Sequence, residues 1–149
     1  MDNTQAISTL NSLIETLKDG EDGFRTAADG LTAPQTKALF QQYARERGQM
    51  VQELQAEVRA LGGDPEKAGS MSGSMHRGWI NIKSAVTGKN DASIIAEAER
   101  GEDVAKNAYA EAVKASLPPS ASAIVSRQAI KVREAHDRVR SMERSLTAH

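Results

Sequence analysis

The amino-acid sequence predicts an all-α fold, a four-helix bundle, and three observations carry this prediction. Over four long segments, apolar residues recur at alternating steps of three and four, the spacing of one face of a helix. The chain contains many alanines but only two Phe, two Tyr and one Trp, a composition that favours close-packed helices over sheets. Its 149 residues suffice for a single domain with its own core.

Residues that start or stop helices bound each of the four segments. Gly30 and Pro34 separate the first from the second, and Gly62 ends the second. Pro118 lies between the third and the fourth. The helices are therefore expected at about residues 4–30, 36–61, 91–116 and 120–146.

The connections between these helices are short, long and short. The long one, residues 62–90, can return along the bundle, so that the second and third helices run parallel. A short helix is expected in its middle, where one helical face is shared by Met75, Trp79, Ile82 and Val86. Two helical hairpins joined by one long crossover are the ferritin-like arrangement.

Each predicted helix carries, within its apolar stripe, one residue that can bind a metal ion or a proton. These four residues are Glu21, Glu46, Glu102 and His136. In this topology all four lie about ten residues from the same end of the bundle, so at about 1.5 Å per residue their heights agree to within roughly 3 Å. The sequence therefore predicts a polar layer across the bundle interior. Glycines that permit close helix approach cluster near that height, namely Gly20, Gly23, Gly48 and Gly101.

A buried layer of three carboxylates and an imidazole needs neutralisation, because an ionised carboxylate without a partner is costly to bury. A divalent ion such as iron, manganese or zinc could supply it. Alternatively, the carboxyl groups share protons and hydrogen bonds, or basic side chains pair with them, the candidates being Arg45, Arg47, Arg100 and Arg133. A further alternative is that the helix faces are misassigned and some of the four residues lie in solvent.

Five stretches of the sequence carry a resemblance to a known family. They are LIETLKDGEDGF, ELQAEVRALGGDPE, HRGWINIKSAVTG, AERGEDVAKNAYAEA and REAHDRVR. In this order they resemble an uncharacterised bacterial family of ferritin-like four-helix-bundle proteins, the domain of unknown function DUF2383, over nearly the whole chain. The resemblance implies the ferritin-like fold and brings no reaction with it.

Ferritin-like proteins that bind two metal ions use a Glu and a Glu-x-x-His motif in each half. Here Gln49 stands where the first motif would have its histidine, and Arg133 stands three residues before His136. This incomplete set disfavours a di-iron enzyme that uses oxygen. It leaves one metal ion held by the four residues of the layer, with possible support from Gln49, Glu99, Gln128, Tyr43 and Tyr109. For the two tyrosines, core packing with a satisfied hydroxyl is the simpler interpretation.

The leading functional interpretation is a metal-binding or metal-responsive protein of the bacterial cytoplasm, linked to stress or storage. The expected ion is iron or manganese, and no organic cofactor is expected. The alternative is a non-catalytic interaction or scaffold bundle whose polar layer fixes helix register without metal. A homodimer is compatible with both interpretations, and the sequence names no protein partner.

Composition excludes several other classes of protein. With 19 basic and 20 acidic residues the formal net charge is -1, unlike that of a dedicated nucleic-acid binder. No apolar run approaches the roughly 18 residues that span a bilayer. The absence of cysteine excludes disulfides and thiolate metal sites.

Overall fold

A computed structural model describes residues 3–67, 78–88 and 90–147, and within them the chain forms five helices and no strand. The helices are α1 Asn3–Gly30, α2 Pro34–Ala60, α3 Ile82–Thr87, α4 Asp91–Lys114 and α5 Pro119–Thr147. The prediction of an all-α bundle is confirmed, and the ends of the four long helices lie within about two residues of those expected. None of the helices in these ranges is long and apolar enough to cross a membrane.

The four long helices form two hairpins, α1 with α2 and α4 with α5, which are joined mainly by packing of α1 against α4. Contact between α2 and α5 is sparse. The backbone of Thr32, between α1 and α2, meets Asp91 at the start of α4. At the other end of the bundle, Glu57 of α2 accepts a hydrogen bond from Ser120 at the start of α5. Helices α2 and α4 therefore run parallel, as the long connection predicts.

The short helix expected in the crossover is present as α3, although it begins after Trp79. Trp79 and Ile82 are buried, and Val86 packs against the same apolar cluster. Met75, the fourth member of the predicted face, lies outside the described residues. The crossover is thus attached to the bundle by Trp79, Ile82 and Val86, the members of this face that come last before α4 in the sequence.

The buried apolar residues form two clusters stacked along the bundle. In α4, Ala98 belongs to one cluster and Ala105 to the other. The boundary between them is occupied by Arg47, Glu102 and His136, all less than 3% exposed. A polar layer therefore crosses the interior at the predicted height, but its members differ from the predicted set.

The start of α4 is tied to the turn between α1 and α2 through one carboxylate. Asp91 accepts hydrogen bonds from the backbone N–H groups of Thr32 and Ala33, at 3.0 and 3.1 Å, and from the Thr32 hydroxyl at 3.0 Å. Burial alone would raise the pKa of Asp91, but these hydrogen bonds together hold it below its ordinary value. The ionised carboxylate is therefore the form that stabilises the fold.

Replacing Asp91 with Ala is expected to lower the free energy of unfolding by about 1 kcal/mol at neutral pH, because three hydrogen bonds are lost at a partly exposed site. Since the folded pKa is lowered, this contribution is present above the unfolded pKa of about 4 and disappears as pH falls through the folded value. Urea unfolding at about pH 7 and about pH 2.5 measures the difference. The difference in free energy of unfolding between wild type and Asp91→Ala should be smaller at the acidic pH. A constant difference, or an equal effect of the exposed control Asp29→Ala, would contradict this role.

Candidate functional site

The most deeply buried carboxylate of the polar layer is neutralised by an arginine. Glu102 of α4 is bound by Arg47 of α2, whose two terminal nitrogens lie 2.8 and 2.5 Å from its carboxylate oxygens. Both side chains are at most 3% exposed. Burial alone would lower the pKa of Arg47, but the charge and hydrogen bonds of Glu102 raise it above its ordinary value. Of the alternatives for neutralising the layer, pairing with arginine is therefore confirmed for Glu102.

The remaining two predicted carboxylates lie at the edge of the bundle. Glu21 binds Arg25 at 3.1 Å, and its side chain is 27% exposed. Glu46 accepts a hydrogen bond from Gln42 at 3.0 Å. The four predicted ligands do not converge on one point in the described residues, so the structure does not assemble the predicted set. Glu21 and Glu46 are each partly buried, and neither reaches the Arg47–Glu102 pair in the contacts described.

One group of potential metal ligands is assembled around His136. Glu99 and Asp103 lie one turn apart on α4 and face His136 of α5. One ligand atom from each of these three residues lies within 4.8 Å of the other two. His136 Nε2 is 2.6 Å from Asp103 Oδ1. The imidazole is 1% exposed and the Asp103 side chain 50% exposed, so the group reaches from the interior to the surface.

The second ring nitrogen of His136 also faces a carboxylate. Nδ1 is 3.0 Å from Asp137 Oδ1, and this hydrogen bond holds the pKa of Asp137 below its ordinary value. A neutral imidazole carries only one N–H, so it can donate to only one of the two flanking carboxylates. Both contacts are favourable when a proton or a metal ion occupies Nε2 while Nδ1–H donates to Asp137. An imidazole held by Asp137 in this way can therefore present Nε2 to a metal ion.

Two of the residues predicted to support a metal site belong to a separate network. The Tyr109 hydroxyl donates to Gln128 Oε1 at 2.7 Å, and Gln128 Nε2 donates to Glu53 Oε1 at 2.8 Å and to the Met50 carbonyl at 3.3 Å. Glu53 also pairs with Arg127 across the α2–α5 boundary. Burial raises the pKa of Tyr109 far above its ordinary value. The interpretation of Tyr109 as a packed residue with a satisfied hydroxyl is confirmed.

The other three supporting candidates have different surroundings. Tyr43 packs on Phe24, with ring centroids 5.2 Å apart, and burial raises its pKa. Gln49 is exposed and lines a shallow cleft of about 340 Å³ with Glu46. Glu99 belongs to the group around His136, so it is a candidate ligand rather than a supporting residue.

The glycines near the polar layer allow close approach, as predicted. Gly23 of α1 and Gly101 of α4 form a slot that holds the Trp79 indole, and a Cβ atom at either glycine would overlap the ring. At Gly48, a Cβ atom would lie 2.6 Å from Glu21 Oε2. The crossover is thus inserted between α1 and α4 beside the polar layer.

A comparison with protein families identifies the chain. The model of the domain of unknown function DUF2383 matches residues 5–115, about three quarters of the sequence. The chain belongs to this family. The matched part of the DUF2383 chain runs from α1 to the end of α4 and includes Glu99 and Asp103, whereas His136 and Asp137 lie in α5, after the match. Among curated proteins, none matches this chain.

Asp103 and Asp137 are the residues of this DUF2383 site that sequence reasoning missed. Asp103 ends the second of two Gly-Glu-Asp tripeptides, at residues 20–22 and 101–103, and lies one turn after Glu99. Glu99 and Asp103 are acidic residues at positions i and i+4, so they lie on the same face of α4. This spacing is the signal in the sequence that could have indicated Asp103. Asp103 and Asp137 both lie outside the apolar stripes of their helices, whereas the predicted ligands all lie within such stripes.

Proposed function

We propose that this DUF2383 protein binds one divalent transition-metal ion through Glu99, Asp103 and His136. The observation that carries the proposal is the buried Nε2 atom of His136 held 2.6 Å from a carboxylate of the facing helix, with a second carboxylate one turn away. Of the four ligands predicted from the sequence, only His136 belongs to this set. Glu99, which the sequence suggests as a supporting residue, is here a proposed ligand.

The donor set favours particular ions. One imidazole nitrogen and two carboxylate oxygens suit iron, manganese or zinc, whereas calcium and magnesium are bound mainly by oxygen atoms. The half-exposed side chain of Asp103 leaves the site open to water and to exchange of the ion with solvent. An accessible, exchangeable site suits metal buffering or sensing in stress or storage physiology in a bacterial cytoplasm better than a closed structural site.

The proposal does not include oxygen chemistry. In a ferritin-like di-metal centre, buried carboxylates from several helices surround the two ions. Here Arg47 binds both oxygens of Glu102, and Glu21 and Glu46 are directed to the bundle edge. This arrangement supports a single ion at the α4–α5 surface and no second ion beside Glu102.

Metal content measured by elemental analysis tests the proposal. The untagged protein is incubated with Mn(II), with Zn(II), and with Fe(II) without oxygen, and is then dialysed. About one ion per chain is expected, and Asp103→Asn should lose it because one of three ligands loses its charge. Asp103 is chosen because its side chain is half exposed, whereas replacing the buried His136 also tests the fold.

The first Gly-Glu-Asp tripeptide supplies the matched control for Asp103→Asn. Asp22 has the same position in that tripeptide, is 78% exposed and pairs only with Arg25 among the contacts seen for it. Asp22→Asn makes the same change of charge and should retain the ion. Wild-type protein without bound metal, or equal metal content in the two variants, would overturn the proposal.

The second candidate function is a metal-free scaffold or interaction bundle. It is favoured by the Arg47–Glu102 pair, which neutralises the interior without an ion. The two candidates differ in thermal stability, because an ion at about 100 times its Kd adds about 2.7 kcal/mol to the folded state. Equal melting temperatures in metal and in chelator would favour the scaffold.

A further inference from the structure

Asp137 touches the candidate metal site without belonging to the ligand group. Its Oδ1 atom is 3.0 Å from His136 Nδ1, on the side of the ring opposite to Glu99 and Asp103. The Asp137 side chain is 63% exposed, while the ring it contacts is 1% exposed. The outer edge of a buried imidazole is thus held by a carboxylate at the surface.

When a metal ion lies between Nε2 and the carboxylates of α4, this contact favours the proton of His136 on Nδ1. In a neutral imidazole one nitrogen carries the proton and the other offers a lone pair, and the partner of the first selects the tautomer. A carboxylate at Nδ1 favours the proton there. The Nε2 lone pair then points toward Asp103 and Glu99, which is the geometry that a metal ion at those three residues needs.

We propose that Asp137 is a positioning residue, which fixes the tautomer and orientation of His136 so that Nε2 faces the metal ion held by Glu99 and Asp103. This inference rests on the proposed function and adds a residue to it. Residues in this position around metal-binding histidines change metal affinity by about 10- to 100-fold when replaced.

Metal affinity of three variants tests the role. Asp137→Ala is expected to weaken Zn(II) binding by about 10- to 100-fold, and Asp137→Asn by less, because its amide oxygen still accepts from Nδ1–H. The control Glu134→Gln removes one charge from an exposed position of the same helix and should leave the affinity unchanged. The melting temperature of the metal-free protein is measured for each variant, so that any loss of stability from the missing Nδ1 hydrogen bond is separated from the loss of metal affinity.

A spectroscopic measurement separates positioning from a general effect of charge. In the Co(II)-loaded protein, the Nδ1 proton of His136 should give a paramagnetically shifted NMR resonance that exchanges slowly with water because Asp137 binds it. The resonance should broaden in Asp137→Ala and persist in Glu134→Gln. An unchanged resonance in Asp137→Ala would overturn the role.

The remaining outcomes are also decisive. Unaltered affinity in Asp137→Ala removes the positioning role while the metal site stands. A loss as complete as that of Asp103→Asn makes Asp137 a ligand and likewise overturns positioning. Wild-type protein that binds no metal removes the proposed function, and the role of Asp137 with it.

Discussion

Replacing Glu102 with Leu is expected to lower the free energy of unfolding by about 3–5 kcal/mol, because it leaves the Arg47 guanidinium buried without a counter-charge. Arg47→Met should lower the free energy of unfolding by a similar amount, because it leaves the Glu102 carboxylate buried without a counter-charge. Neither partner can reach water without parting the helices, since both side chains are at most 3% exposed. Urea unfolding followed by circular dichroism measures both effects.

The double variant Arg47→Met, Glu102→Leu shows whether the loss comes from the unpaired charge. With both charges gone, apolar side chains fill the boundary between the two core clusters, and replacing a buried ion pair in this way is often close to neutral. The double variant should therefore lie within about 2 kcal/mol of wild type, far below the sum of the single losses. Additive losses would contradict the argument.

Glu21→Leu is the matched control for Glu102→Leu, because both glutamates occupy the middle of a Gly-Glu-Asp tripeptide. Glu21 pairs with Arg25 at the bundle edge, where such pairs contribute about 1 kcal/mol or less. A large loss at Glu21 would place that carboxylate in the interior after all.

Replacing Gly101 with Ala is expected to expel the Trp79 indole from its slot. A Cβ atom there would overlap the ring, and the backbone of Gly78 also lies against Gly101, with only 2.5 Å between the Gly101 Cα and a Cβ built at Gly78. Forcing a methyl group into such a contact costs about 1–3 kcal/mol or more. Trp79 is the only tryptophan, so its fluorescence reports the displacement directly. Emission should shift to longer wavelength as the ring enters water.

Two further variants test the slot. Trp79→Ala should lower the free energy of unfolding by about 3–5 kcal/mol. Adding Gly101→Ala to it should lower that free energy little further, because the ring that the methyl group would meet is gone. Gly88→Ala is the control, since a Cβ atom there meets its neighbours at ordinary distances of 3.5 Å and above. Unshifted emission in Gly101→Ala would mean that the helices part and the ring stays.

Much of the fold follows from local rules that one sequence displays. The period of apolar residues specifies the helices, and the prolines and glycines between them specify their ends. The height of the polar layer also follows, because height along a bundle depends only on the number of residues and the rise per residue. The apolar period also places Glu102 and His136 on the inner faces of their helices, and both are buried in the structure.

The direction of a side chain around its helix is harder to predict, because it depends on how neighbouring helices rotate against one another. A shift of one residue turns the direction by about 100°. The predicted stripe of α2 passes through Glu46, whereas the structure buries Arg47, the next residue. The pairing with Arg47 also explains why α4 can bury Glu102. It joins two residues that lie 55 positions apart in the sequence. The sequence offers Arg47 as one of four candidate partners, and nothing in the local pattern of either helix singles it out.

The unequal packing between the two hairpins has a consequence for how the bundle moves. Because α1 and α4 carry most of the contact between the hairpins, we expect thermal motion to separate the halves most easily along the α2–α5 edge. Arg127 and Glu53 bridge that edge, with Gln128 hydrogen-bonded beneath them. The three proposed metal ligands lie within the single α4–α5 hairpin, so we expect motion along the α2–α5 edge to leave their separation unchanged. The proposed site would therefore keep its geometry while the two hairpins move against each other.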